Sequence, residues 1–326
     1  MAHNINEDKI FYFGEKPWHG IGQELNHPAT SREAIIAAKL NYSVVKTPVY
    51  TELTGRQEIP DVYATVNMSN SAVLGVVSDK YRIIQNEDAF DFFDSIVGGG
   101  KAIYHTAGAL GQGERIWILA KLPGDIHVAN VDNVEKYLLL TNSHDGKNAL
   151  RMYFTPVRVV CQNTLIMSLS QRSEEGIVIR HVGSVSDKVE EAARLLGISN
   201  DFYNSLGEKF NRFVNIKLDK NKLRHYYVKV VYNTDGEPAK TPIMENRISR
   251  MTELFETGKG NDMLAVRGSL WAALNSVTEY VDHYRSHKDT NDDKLKNVWF
   301  GQGAKIKNRA FEVATSMTSI KPVSYK

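Results

Sequence analysis

Alternating and short apolar runs fill the first half of the chain, and helical spacing fills the second. Residues 1–25 read as irregular, with Trp18-His-Gly-Ile-Gly22 as a tight turn. Thr30-Ser-Arg-Glu33 fits a capping box, in which the threonine hydroxyl and the glutamate satisfy each other's end of the first turn, and predicts a helix over 33–40. Tyr42–Thr51 reads as a strand that turns at Thr54-Gly55. Val62–Asn67 and Ala72–Val77 flank Met68-Ser-Asn-Ser71, a hairpin pattern. Asn86 is placed to cap a helix whose first turn carries Glu87 and Asp88, the charges a helix N-terminus favours. Its apolar residues Phe90, Phe92 and Phe93 lead to a stop at Gly98-Gly-Gly100. Ala102–Thr106, Arg115–Leu122, Glu135–Thr141 and Leu150–Val160 read as four further strands.

From Ser184-Val-Ser-Asp187, another capping signal, the period changes. Helices are expected over 187–196, stopped by Gly197, and over 200–213, 247–256, 264–285 and 304–316. Lys220–Tyr232 fits a helix or a strand. In the longest helix Leu270, Leu274, Val277 and Val281 recur at three and four residues and make one apolar stripe. No internal repeat is visible. The order predicts an α+β fold, with a β-rich region of hairpins and helices over 1–175 that carries the candidate chemistry. A mainly helical region over 176–326 is free to pack with it as one domain, and the weakest joint lies near 170–185.

Composition narrows the class. The chain has 326 residues, 42% hydrophobic and 24% charged, which suits a globular protein able to bury a core without staples. One cysteine, Cys161, excludes an intramolecular disulfide framework and a multi-cysteine zinc site. No run approaches the ~18 apolar residues of a membrane span, and the N-terminal residues show no basic-then-apolar signal pattern. A cytoplasmic protein without a membrane partner is expected. The net charge is only +2, but residues 209–250 hold ten Lys/Arg against four acids. That segment reads as a solvated helix face or as a footprint for a polyanion.

The densest chemistry lies in Thr141–Leu165, where His144, Asp145, Lys147, Asn148, Arg151, Arg158, Cys161, Gln162 and Asn163 stand among strand-like apolar residues. Asp145-Gly146 suits a type I′ hairpin turn, and the same loop would present His144 beside Lys147 for acid–base work or phosphate contact. Arg158, on a partly buried strand, needs a carboxylate or a phosphate. Cys161 reads as a small buried hydrophobe or as a nucleophile with His144 as its base. Asn163 and Gln162 could hydrogen-bond a base, or cap a helix starting at Thr164. In Ser78-Asp-Lys-Tyr-Arg82 a continuing strand would set Lys80 and Arg82 on one face, beside Tyr81 for stacking; the plain alternative is a solvated edge. Gly301-Gln-Gly303-Ala-Lys305 opens a helix carrying Lys305, Lys307 and Arg309, an anion site or an ordinary helix start. No phosphate-binding P-loop, His-Glu-x-x-His or EF-hand spacing is present. His283 and His287 at i, i+4 read as a surface coincidence, so no metal is expected and no cofactor is named.

Several of these blocks resemble one family. Trp18-His-Gly-Ile-Gly22, Val77-Ser-Asp-Lys-Tyr-Arg82 with Gln85-Asn86, Ser143-His-Asp-Gly146, Thr155-Pro-Val-Arg-Val-Val-Cys-Gln-Asn-Thr-Leu165 and Trp299-Phe-Gly-Gln-Gly-Ala-Lys305 are similar to motifs of the phage/plasmid-like protein family, a domain of unknown function. The blocks run from about residue 10 to 315. The resemblance implies carriage by a phage, prophage or plasmid, and it implies no reaction. The alternation of hairpins and helices also resembles ring-forming single-strand annealing recombinases.

Two expectations follow. In the first, the chain binds nucleic acid, single strands in recombination or replication: Lys80, Arg82, Lys147, Arg151, Arg158, Lys305 and Lys307 contact phosphate, Tyr81 or Tyr153 stacks, and Asn163 contacts a base. Tyr226, Tyr227 and Tyr232 supply aromatic groups within the basic segment. In the second, His144, Asp145 and Cys161 are catalytic, with Arg158 and Asn163, in a hydrolase or transferase acting on a phosphate-bearing substrate. A host-interaction or anti-defence protein without chemistry is a third reading, and a homo-oligomer is compatible with all three.

Overall fold

The computed structural model describes residues 10–14, 22–53, 55–97, 102–147, 150–158, 160, 163–164, 177–178, 185–234, 240–285 and 297–318. Strands come first: β1 (Phe11–Phe13), β2 (Gln23–Leu25), β3 (Val44–Thr51), β4 (Gln57–Asn67), β5 (Ala72–Ser78), β6 (Ile103–Leu110), β7 (Arg115–Lys121), β8 (Ile126–Val128), β9 (Asp132–Ser143), β10 (Arg151–Arg158), β11 (Asn163–Thr164) and β12 (Ile177–Val178). Two helices interrupt them, α1 (Ser31–Ala37) and α2 (Asn86–Val97). Then follow α3 (Val185–Asn215), α4 (Lys220–Tyr232), α5 (Pro242–Thr257), α6 (Leu270–Glu279), which continues as a π-helical turn over Tyr280–Tyr284, and α7 (Gln302–Met317). The α+β expectation holds.

The main sheet runs β11-β10-β9-β7-β6-β1-β2, with β12 also on β10 and β8 also on β9. It is antiparallel except for the β1–β2 pair. Its central strands are apolar on both faces, because both faces are covered. Ile116, Ile118, Leu138, Leu140, Met152 and Phe154 face the large core under α1–α7. Trp117, Leu119, Tyr137, Leu139 and Tyr153 face a smaller cluster closed by Val298 and Trp299. This double cover is why Ile116–Ala120 and Leu138–Leu140 read as unbroken apolar runs rather than alternating ones. β3, β4 and β5 form a separate antiparallel sheet in that order.

The two regions share one core. Phe154 of β10 stacks on Phe202 of α3 at 4.3 Å. Beside Pro156, which has no N–H to give to β9, the Tyr203 hydroxyl of α3 takes the N–H groups of Tyr137 and Thr155, both at 3.1 Å, and donates to the Tyr137 carbonyl.

Local signals fared unevenly. The Thr30–Glu33 capping box forms in full. Lys220–Tyr232 is a helix, capped by Asp219 and ended by Asn233 in the left-handed region. Gly197 does not stop a helix, since α3 runs through it. No neighbour lies within 4 Å of the Cβ position there, and the helix is held by packing on either side. The helix expected from Leu264 starts only at Leu270, where the Ser269 side chain accepts from Ala272 N; its stripe is fully buried. Asn163 and Thr164 form a short strand rather than a helix start.

Candidate functional site

The small sheet is tied down at one end of the large one by side chains of β4, by Tyr42 and by Tyr81 of the Val77–Arg82 block. Thr65 of β4 donates to the His144 carbonyl at 2.7 Å, and Tyr81 donates to the Ser143 carbonyl at 2.7 Å. Asn67 reaches the Gln112 carbonyl at 3.2 Å, and Tyr42 reaches the Gly113 carbonyl at 3.2 Å. Gly75 lets the loop pass: a Cβ there would lie 2.5 Å from the Asp145 Cα, closer than any real contact. The loop after β9 is therefore clamped between β5 and the β6–β7 turn.

His144 faces inward. It is fully buried, and its Nε2 meets Asn86 Oδ1 at 2.8 Å. Asn86 gives its own amide hydrogens to the Leu40 carbonyl at 2.8 Å, so its oxygen is the acceptor and the imidazole carries its proton on Nε2. The expected capping asparagine of α2 is thus spent on the loop. Burial pushes the His144 pKa down to about 4, with Asp145 opposing weakly, so the ring is neutral near pH 7. The Asp145 carboxylate caps the turn, accepting from the Ser143 hydroxyl and from Lys147 N. The turn is not type I′: Gly146 has φ +75°, but Asp145 is not among the residues with positive φ, and that type needs both.

Outside this clamp lies an open cleft of about 670 Å³, lined by Leu74, Leu110, Glu114, Arg115, Asp145, Lys147, Asn297, Phe300 and Gly301. The Arg115 guanidinium lies over the Phe300 ring at 4.9 Å. Among the described residues it has no carboxylate partner. Glu114 is occupied with Gln112 N at 2.6 Å. The Lys147 side chain is 78% exposed and only 4.0 Å from the Asp145 carboxylate. Arg151, on the strand next but one to Arg115, shares its end and face of the sheet. Both cations act on the buried Tyr153 hydroxyl, opposing the rise that burial gives its pKa. Tyr153 meets Phe300 edge-on at 5.8 Å and supports that ring from below. Asn297 holds the far wall, accepting from Arg285 and Gly303 N at 2.8 and 2.9 Å. Gly301, the N-cap of α7, opens onto the cleft.

Other expected site residues lie elsewhere. Arg158 is at the opposite end of β10 from Arg151, about 23 Å away at ~3.3 Å per strand residue. It is 2% exposed and bound to Asp132 at 2.7 Å, to the carbonyls of Lys259 and Gly260, and to Asn261, so it meets a carboxylate and not a phosphate. Lys307 is also fully buried, paired with Asp282 at 2.7 Å and Thr164 at 2.9 Å; it faces the core side of α7 while Lys305 is exposed. Asn163 pairs with Arg158 in β11, at that same far end. Cys161 lies outside the described residues, as do Asn148, Gln162 and His287. Lys80 and Arg82 are exposed, but β5 ends at Ser78, so they do not alternate along a strand.

The basic segment is less free than its composition suggests. Lys222, Arg224 and Arg250 pair with Asp219, Glu245 and Glu253, and Tyr226 and Tyr227 are buried with their hydroxyls on Ala310 and Met251 carbonyls. No cluster of metal-ligating side chains occurs among the described residues. No helix described is long and apolar enough to cross a membrane.

Fold and site together define an α+β protein whose open, polar, partly aromatic cleft is walled in part by two of the quoted motif blocks, through Asp145 and through Phe300 and Gly301. The chain belongs to a family described as a domain of unknown function, DUF932, whose model matches residues 73–299. No curated protein and no solved structure matches it.

Proposed function

We propose that this cleft binds single-stranded nucleic acid, and that the protein serves a phage, prophage or plasmid in recombination or replication. One observation carries the binding: Arg115, Phe300 and Lys147 converge on one open cleft, where an aromatic face and cations are offered together. Single-strand binders rest on that pair of ingredients, a stacking surface and a cationic track for phosphates. The carboxylates present, Glu114 and Asp145, accept turn amides, and Lys147, although 4.0 Å from Asp145, keeps a largely exposed side chain that a phosphate can reach. The link to mobile elements rests on the motif blocks. A reaction built on His144, Arg158 and Cys161 has less support, since His144 is buried and neutral and Arg158 sits at the far end of β10.

Fluorescence anisotropy with labelled single- and double-stranded oligonucleotides tests the reading. The wild type should prefer single strands and weaken steeply with salt. Lys147→Ala and Arg115→Ala should each flatten the slope of log K against log salt by about 0.7, the value for one phosphate contact on a single strand. Phe300→Ala should cost about 1–3 kcal/mol, as loss of a stacked base does. No binding of the wild type at low salt overturns the proposal.

A further inference from the structure

α5 carries two arginines, and they are treated differently. Arg250 meets Glu253 at 2.6 Å and lies over the Tyr284 ring at 4.3 Å, which packs α5 against the π-helical turn. Arg247 stands one turn earlier on the same face of α5. Its one described side-chain contact is the Met244 sulfur at 3.5 Å, a weak acceptor. Glu245, two residues before it, is paired with Arg224 at 3.2 Å.

Arg285 follows Tyr284 directly and gives one of its five N–H donors to Asn297 Oδ1 at 2.8 Å. Asn297 is itself fixed. The same Oδ1 accepts from Gly303 N at 2.9 Å, and the Asn297 carbonyl accepts from Gly301 N at 3.2 Å. A Cβ at Gly303 would lie 2.8 Å from that carbonyl oxygen, so the start of α7 is seated closely on Asn297. Arg285 is thus aimed by a latched residue of the cleft's far wall.

Neither Arg247 nor Arg285 makes an ion pair among the described residues, and both are half-buried. Burial and, after it, the Arg247 charge push the Arg285 pKa down. Two like charges drawn partly out of water are costly unless an anion meets them. The guanidinium fork fits paired phosphate oxygens. A phosphate group brings up to two charges and several acceptor oxygens, enough for both forks.

We infer that Arg247 and Arg285 form a phosphate-binding site at the far wall of the cleft, with Asn297 positioning Arg285. Two sources can supply that phosphate group. A single strand lying in the cleft, on the reading proposed above, carries one past Asn297; a free phosphate or a small phosphate ester is the other.

Phosphorus NMR of inorganic phosphate with the full chain tests the site. The background is Arg115→Ala/Lys147→Ala, which removes the cleft's own cations. The phosphate line should still broaden there, and adding Arg247→Gln should abolish most of the broadening. Arg224→Gln, which removes an equal charge from a paired arginine, should leave it unchanged. No broadening in the background variant overturns the inference, and so does broadening that survives Arg247→Gln or is lost with Arg224→Gln. Should Arg247→Gln fail to fold by circular dichroism, Arg247→Lys is read in its place. It keeps the charge and loses the fork, and should raise the phosphate dissociation constant several-fold; an unchanged constant overturns the inference. Labelled single strands then separate the sources. A salt slope flatter by about 0.7 in Arg247→Gln than in the wild type assigns the phosphate to the strand. An unchanged slope, or a wild type that binds no strand, assigns it to a free phosphate or ester; the second result ends the reading of the cleft and leaves this site standing.

Discussion

His144 is held neutral by its surroundings, and that has a sign. Its pKa falls from an ordinary 6.5 to about 4 on folding, because the buried ring gives its only described contact to Asn86 and has no carbonyl or carboxylate to receive a second proton. The unfolded chain therefore binds more protons than the folded one between those values, and stability falls as pH drops from about 6.5 to about 4. The full effect is about 3 kcal/mol at ~1.4 kcal/mol per unit. Urea unfolding at pH 4.5 and 7 should show much of that loss, and His144→Gln, which keeps a donor for Asn86, should reduce it. An identical slope in the variant would place the acid sensitivity elsewhere. The sequence picked out His144 for catalysis and Arg158 and Lys307 for phosphate contact, and the structure instead buries each against a protein partner. Side-chain type alone did not say whether the partner was Asn86, Asp132 and Asp282 or a ligand. Arg115 and Phe300 went unmarked as a pair because they are 185 residues apart, and only the packing of Trp299 on Trp117, centroids 4.9 Å apart, brings them together.

At the level of elements, β5 is the strand on which the cleft depends. Its Gly75 is required by the approach of Asp145, and its Val77 lies against Gly146. Gly75→Ala should push the 144–147 loop off the strand. The expected result is a lower Tm and weaker oligonucleotide binding, with the residual affinity close to that of Lys147→Ala. Affinity equal to the wild type would mean that the loop does not shape the cleft. Strands and hairpins were legible because turn residues and β-branched runs are local signals. The end of β9 was not: it runs on to Ser143 because Arg115 pairs with that residue, and a partner strand leaves no mark in the segment it lengthens.

At the scale of the molecule, the large core draws side chains from both the strand-rich and the helical region. Tyr203 bridges β9 and β10 from α3, and Arg158 reaches the carbonyls between α5 and α6. Departure of the helical side would take from the buried Arg158 guanidinium the carbonyls that satisfy it and leave its N–H groups unmatched. Scanning calorimetry should accordingly give one transition, with strands and helices melting together. Two transitions separated by several degrees would show that the helical region holds its own core. The α+β class was readable from the order of periodicities; the unity of the core was not, since it rests on contacts such as Phe154 with Phe202 that span distant segments.

The walls of the cleft run from Leu74 to Gly301 in the chain. On a ribosome adding ~5–20 residues per second, roughly ten to forty-five seconds pass between the two. Through that interval a nascent chain has Lys147 and Arg115 but no Phe300 to set against them. Whatever the cleft holds, it can hold only after translation has passed residue 301, so an unfinished copy cannot occupy the ligand of a finished one.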